Sequence, residues 1–113
     1  MKKTALIVDD EIEICQLLVS YLKRKKFDTT YALTLQDALE KAELQKPDIV
    51  FLDNNLPDGS GISHILEFKK INSTVKIIII SARTNLAESA IELGATGFLS
   101  KPISYQNIDS YIE

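Results

Sequence analysis

Carboxylates, a hydroxyl and an ammonium recur at one kind of place in this chain, just after a short apolar run. Asp9, Asp10 and Glu11 follow Ala5–Val8, Asp53 follows Ile49–Leu52, Ser81 follows Val75–Ile80, and Lys101 comes soon after Gly97–Leu99. Clustered acids repel one another and resist ionising together unless a cation joins them. A hard divalent ion, Mg2+ by preference, binds through one or two carboxylates with water and phosphate oxygen. With such an ion present, Asp53 can attack an incoming phosphoryl group, while Lys101 and the Ser81 hydroxyl hold oxygens of the product. That product is an acyl phosphate, one of the covalent intermediates open to a carboxylate nucleophile.

Each residue also has a purely structural reading. Asp9 and Asp10 can cap a following helix and complement its dipole. Asp53 with Asn54 and Asn55 can form an Asx-rich turn, Ser81 can tie down a loop, and Lys101 can lie in solvent. Capping does not explain why a lone Ser and a lone Lys converge on clustered acids, and that convergence favours the chemical reading.

Elements that would position these groups are legible in the apolar pattern. The four runs are rich in Ile, Val and Leu and mostly lack the alternation of half-exposed strands, so they read as strands buried on both faces. Val75–Ile80, interrupted only by Lys76, suits a central strand, and the less apolar Phe27–Tyr31 suits an edge. Between them lie helical patterns. Ile12, Cys15, Val19 and Leu22 share one face, closed by Lys23–Lys26. Leu35, Ala38, Leu39 and Ala42 share another, with Thr34 placed as N-cap. Ile62, Ile65, Leu66 and Lys69 give a third helix after the Pro57–Gly61 turn. Ala87, Ala90 and Ile91 give a fourth ending at Gly94, and Tyr105, Ile108 and Ile112 a fifth. Strand and helix thus alternate five times, which implies a parallel sheet with right-handed crossovers and helices on both faces. Ligands of such sheets bind outside the carboxyl ends of the strands, where the reactive groups fall.

Composition narrows the classes further. A chain of 113 residues, 45% hydrophobic and 26% charged, suits one globular α/β domain over 1–113 and excludes disordered and fibrous classes. A net charge of −3 gives no electrostatic reason to expect nucleic acid or anionic membrane as partner. The run after Lys2-Lys3 is too short for a secretory leader, and no stretch approaches the roughly 20 apolar residues of a membrane span. Cys15, the one cysteine, cannot form an internal disulfide. A cytoplasmic protein is expected.

The ordered set of motifs resembles the response-regulator receiver domains of two-component signalling, of the chemotaxis-regulator type. The residues that carry it are Asp9-Asp10, Leu52-Asp53, Leu56-Pro57, Gly61, Ser81-Ala82, Gly94-Ala95 and Gly97-Phe98-Leu99-Ser100-Lys101-Pro102. The resemblance implies a flavodoxin-like doubly wound (βα)5 fold with strand order 2-1-3-4-5. It implies Asp53 as phospho-acceptor and Ser81 and Lys101 as the groups contacting the phosphoryl. Asp10, Asp53 and the backbone carbonyl of Asn55 would ligate Mg2+ or Mn2+, with Asp9 acting through water. Phe98 matches an aromatic switch residue that turns inward as the Ser81 position moves toward phosphate. Asn55 and Arg83 match sites that tune phosphoryl loss, and the Lys101-Pro102 bond is similar to one that is usually cis.

The resemblance also implies partners: a sensor histidine kinase or histidine phosphotransfer protein as donor, and an output partner or effector that the sequence does not name. It implies no direct nucleic-acid binding by this domain and no separate substrate turnover beyond its own phosphorylation and dephosphorylation. The face made by the fourth helix, fifth strand and fifth helix would carry output, and dimerisation through it is open. The fifth helix is short for the family, as it would be in the receiver portion of a longer regulator.

Rival readings remain. A receiver-like binding module indifferent to phosphate would usually lack one of the acid, Ser or Lys positions, and all stand here. A haloacid-dehalogenase-like phosphohydrolase would carry a second Asp two residues past the nucleophile, where this chain has Asn55. Flavin binding would need a hydroxyl- and Gly-rich phosphate loop after the first strand. His64 reads as an exposed residue of the third helix rather than a phosphodonor. Lys23–Lys26 suit a helix C-terminus, Cys15 reads as a small core hydrophobe, and Leu86–Leu93 suits a surface helix.

Overall fold

Ten elements alternate along the chain in a computed structural model that describes residues 2–112. They are β1 (Thr4–Val8), α1 (Ile12–Arg24), β2 (Asp28–Ala32), α2 (Leu35–Gln45), β3 (Ile49–Asp53), α3 (Ile65–Ile71), β4 (Lys76–Ser81), α4 (Ala87–Glu92), β5 (Gly97–Ser100) and α5 (Tyr105–Ile112). The five strands form one parallel sheet in the order β2-β1-β3-β4-β5. This is the flavodoxin-like arrangement expected, with the Asp28–Ala32 strand at an edge.

The continuous apolar runs divide their residues between two faces. Leu6, Val8, Val50, Leu52, Ile77 and Ile79 pack with Ala38, Ala42, Ile65, Phe68 and Ala90, so one layer is covered by α2, α3 and α4. Ala5, Ile7, Phe51, Ile78, Ile80 and Leu99 pack with Cys15, Leu18, Leu22 and Ile108, so the other is covered by α1 and α5. Alternate residues of each central strand therefore serve opposite cores, and polar residues are confined to the strand ends, as at Lys76, Asp53 and Ser81. Tyr21 of α1 stacks on Tyr105 of α5, with ring centroids 4.1 Å apart, and fastens the two helices of that face.

Helix faces differ from the sequence expectation by small rotations. In α1 the buried residues are Cys15, Leu18 and Leu22, with Val19 only half-buried. The third helix does not begin at Ile62. A 3-10 turn covers Ile62–His64, and α3 then buries Ile65 and Phe68 while Leu66 stays 62% exposed. Phe68 has more apolar surface to remove from water than Leu66, so its side sets the packed face. The fourth helix likewise opens as a 3-10 turn, Thr84–Leu86, before α4. Gly94, at φ +107°, ends that segment as expected of a residue free to adopt the left-handed region.

The cap at Thr34 is present: its side chain accepts from the Asp37 N–H at 3.1 Å. Thr34→Ala is expected to lower the unfolding free energy by about 1 kcal/mol, read as a lower urea midpoint at unchanged slope. An unchanged midpoint would mean that another group does the capping. The rival is Asp58, whose carboxylate accepts from the N–H groups of Leu35 and Gln36 at 2.9 and 3.0 Å.

Candidate functional site

The parallel register brings the strand ends into line. Val8 pairs with Leu52, Asp53 with Ile80, and Ser81 with Ser100, so the last residue of β4 and the residues following β1 and β5 meet at one edge beside Asp53. Backbone bonds fix the exits: Asp9 N–H donates to Ala32 O at 3.1 Å, Asn54 N–H to Ile80 O at 3.0 Å, and Lys101 N–H to Ser81 O at 3.1 Å.

Within this cleft Asp9, Asp10 and Asp53 bring carboxylate oxygens within 4.8 Å of one another. Asp9 and Asp53 are buried, whereas Asp10 is exposed. Asp9 divides its two oxygens. Oδ1 accepts from the Glu11 N–H at 2.9 Å and closes the turn before α1; the N-cap of that helix is Glu11, which makes no side-chain cap bond, so the expected capping by Asp9 is replaced by this turn. Oδ2 is buried with no hydrogen-bond partner, and it faces the ammonium of Lys101 at 3.6 Å. The same ammonium lies 3.4 Å from Asp53 Oδ1 and 3.6 Å from Glu11 Oε1.

Electrostatics follow from this packing. Burial pushes the Asp53 carboxyl up to about 6, and the charge of Asp9 adds to the rise; Lys101 and the Asn55 N–H pull the other way. Asp9 is likewise raised, chiefly by burial. Burial works against the charge of Lys101, but Asp53 and Asp9 more than offset it, so its pKa is raised. The cleft thus holds more negative charge than one ammonium balances, and a buried oxygen of Asp9 lacks a donor. A hard cation fits that deficit.

The remaining expected residues are placed as follows. Ser81 is buried, and its Oγ accepts from the Arg83 N–H at 3.0 Å, which leaves the hydroxyl hydrogen free to donate. Arg83 itself is exposed and makes no ion pair among the described residues. Asn55 is exposed, in a two-stranded ribbon in which Asn55–Leu56 pairs with Gly59–Ser60. Phe98 is half-buried against the layer under α2–α4. The Lys101-Pro102 bond is cis.

The Asx-turn expected at Asp53–Asn55 is not what Asn54 makes: its side-chain oxygen accepts from the Ile62 N–H at 3.1 Å, eight residues on, and so ties the start of the 3-10 turn to the end of β3. Cys15 is buried, its Sγ 3.2 Å from the Asp9 carbonyl, and burial pushes its thiol up to about 12. It is an inert core residue, as expected. His64 differs from expectation. It is half-buried at the end of the 3-10 turn, with Nδ1 2.9 Å from Ser60 O and Nε2 3.5 Å from Glu67.

Two residues were not singled out from the sequence. Glu11 was visible only as the third acid of a run, and its contact with Lys101 depends on sheet closure. Asp58 gave no local signal at all, because the helix it caps precedes it by more than twenty residues.

Comparison with known proteins bears on this edge of acids. The model of the response regulator receiver domain matches residues 5–113. The chain is 32% identical to the alkaline phosphatase synthesis transcriptional regulatory protein PhoP of Bacillus subtilis (strain 168), covering 100% of this chain and 48% of that protein. It is 39% identical to the KDP operon transcriptional regulatory protein KdpE of Escherichia coli (strain K12), covering 86% of this chain and 44% of that one. It therefore spans about half the length of these relatives. A response regulator of Burkholderia pseudomallei, solved with a phosphorylated aspartic acid, a calcium ion and citrate, superposes with a TM-score of 0.90 at 24% identity, covering 99% of this chain and 67% of that chain. That likeness carries the fold. No helix among the described residues is long and apolar enough to cross a membrane.

Proposed function

The chain belongs to the response regulator receiver family, and from that premise we propose that it is a phosphorylatable switch whose acceptor is Asp53. Domains of this family serve signalling rather than substrate turnover. The observation that carries the reading is a buried carboxylate at a strand end, 3.4 Å from a lysine ammonium and grouped with two further carboxylates.

A sensor histidine kinase or histidine phosphotransfer protein presents a phosphohistidine to the cleft. One Asp53 carboxylate oxygen attacks phosphorus. The new P–O bond forms as the donor's P–N bond breaks, and the bonding pair leaves on the imidazole nitrogen. With a pKa of about 6, Asp53 is mostly ionised at neutral pH and available as nucleophile. Lys101 takes one phosphoryl oxygen by charge. Ser81 donates its free hydroxyl hydrogen to another.

Asp10, Asp53 and the backbone carbonyl of Asn55 would hold Mg2+ or Mn2+, with Asp9 acting through water. Such an ion supplies positive charge that reconciles the acids and offsets charge developing on the phosphoryl group. The donor set, all oxygen, and the Oδ2 of Asp9, buried with no hydrogen-bond donor among the described residues, support this assignment.

Movement of Ser81 toward the phosphoryl opens space for Phe98, already half-buried, to turn inward. The face of α4, β5 and α5 changes with it, biasing a two-state equilibrium that an output partner or a second copy reads. Asn55 and Arg83, both exposed, set how quickly the phosphoryl is lost. Residues 1–113 act as one receiver domain, in the cytoplasm, with no nucleic-acid contact of their own.

The test is intact mass after incubation with acetyl phosphate, with and without Mg2+, for the native chain and Asp53→Asn. A Mg2+-dependent gain of one phosphoryl group in the native chain, absent in the variant, is expected. If the native chain neither gains the group nor binds beryllofluoride, the proposal fails in favour of a phosphate-independent binding module.

A further inference from the structure

Among the described residues Lys101 is the only cation placed among the acids of the cleft, and its ammonium is nearly equidistant from three of them: 3.4 Å from Asp53, 3.6 Å from Asp9 and 3.6 Å from Glu11. These three partners are not alike. Asp53 and Asp9 have buried side chains, 3% and 0% exposed, and form the floor, whereas Glu11 is 59% exposed and stands at the rim. Lys101, itself 22% exposed, lies between floor and rim. The ammonium faces Asp53 through Oδ1, so a cation entering from solvent shares that one carboxylate with it, and two positive charges at one carboxylate repel. The ammonium must therefore withdraw as the metal arrives. A withdrawing lysine that returned to water alone would lose its only partners, but Glu11 gives it a carboxylate to withdraw to.

We infer that Glu11 is a positioning residue that draws the Lys101 ammonium toward the rim, and so lowers the cost of admitting a divalent cation beside Asp53. This rests on the reading of Asp9, Asp10 and Asp53 as a metal site. Glu11 touches neither metal nor phosphoryl and acts through Lys101. Its charge also attracts cations directly, so the test separates reach from field.

The experiment is a Mg2+ titration followed by backbone amide chemical shifts, on the native chain, Glu11→Gln, Glu11→Asp, Lys101→Met and the double variant Glu11→Gln/Lys101→Met. Glu11→Gln is expected to raise the Mg2+ dissociation constant about fivefold, the order expected for one half-exposed ion pair. In the Lys101→Met background the same change shifts it by less than about 1.5-fold, because the ammonium to be repositioned is gone. Glu11→Asp keeps the charge but is one methylene shorter, and is expected to show part of the loss. Since Glu11→Asp is an exposed, charge-conserving change, that arm stands even if Lys101→Met fails to fold.

Equal factors in both backgrounds, or native affinity in Glu11→Asp, would reduce Glu11 to a field effect and overturn the inference while leaving the metal site intact. A native chain that shows no saturable Mg2+ shift near Asp10 would overturn both this inference and the receiver reading beneath it.

Discussion

Asp53→Asn is expected to be more stable than the native chain by about 2 kcal/mol at pH 7 in chelated buffer, although it removes the proposed acceptor. The native carboxyl is raised from 3.8 to about 6, first by burial and then by Asp9. A carboxyl whose folded pKa lies above its unfolded value binds more protons in the fold between those two values. Stability therefore falls as pH rises from about 4 to about 6, and the full cost is present above that window. Asparagine has nearly the same shape and no charge, so the cost disappears. Part of the gain is offset because Lys101 loses one partner, but it keeps Asp9 and Glu11. Urea midpoints of both proteins at pH 4, 5, 6 and 7 check this. Their gap should close toward pH 4 and be widest at pH 7. A variant no more stable than the native chain at pH 7 would contradict the burial cost assigned to Asp53.

Gly61→Ala should be damaging for the opposite reason, since it touches no charge at all. Gly61 has φ −60°, a conformation open to any residue, so the requirement for glycine here is space. An added Cβ would lie 2.6 Å from the Asp53 carbonyl oxygen and 2.8 Å from Leu52 Cγ. Both atoms belong to the buried end of β3, and a sheet strand bonded on both sides has little room to yield. We expect a loss of about 3 kcal/mol, at the upper end of overpacking effects. Displacement of Asp53 should slow phosphoryl uptake from acetyl phosphate on the order of tenfold, as misplacing a reacting group does. Urea unfolding and timed intact-mass measurements read the two effects. A midpoint matching the native one would show that the turn can move away from β3.

Much of the fold could be read because its strands are buried on both sides. Ile49–Leu52 and, apart from the exposed Lys76, Val75–Ile80 leave no ambiguity about which residues face a core, since all the apolar ones do. Helix faces were harder. Leu18 and Val19, or Leu66 and Phe68, are near neighbours on a helix and all apolar, and only the partner surface decides which is covered. The 3-10 entries to α3 and α4 were not legible for a similar reason: they arise from where the preceding loops attach.

At the site, Asp9, Asp10, Asp53, Ser81 and Lys101 could be found because topology sends the residue after each parallel strand to one edge. What escaped was pairing across distance. The division of Asp9 between a turn and a lysine, the reach of Glu11 to Lys101, and the capping of α2 by Asp58 all depend on closure of the fold. Arg83 shows the converse: its position in sequence is suggestive, yet its side chain lies in solvent.

The slight anchoring of α4 has a consequence for where the molecule opens first. This helix spans six residues, follows a 3-10 turn, and buries Ala90 alone, while Ile91 and Leu93 are 49% and 43% exposed. Detaching it uncovers Ala90 and the patch of core beneath it, whereas separating β3 from its neighbours would uncover a whole buried strand. Local opening of the segment from Thr84 to Leu93 therefore costs far less than global unfolding. Its amides are expected to exchange fastest and those of β3 and β4 slowest when hydrogen exchange is measured. The stretch joining Ser81 to Phe98 is thus expected to open as a unit of its own while the sheet that holds the acids stays closed.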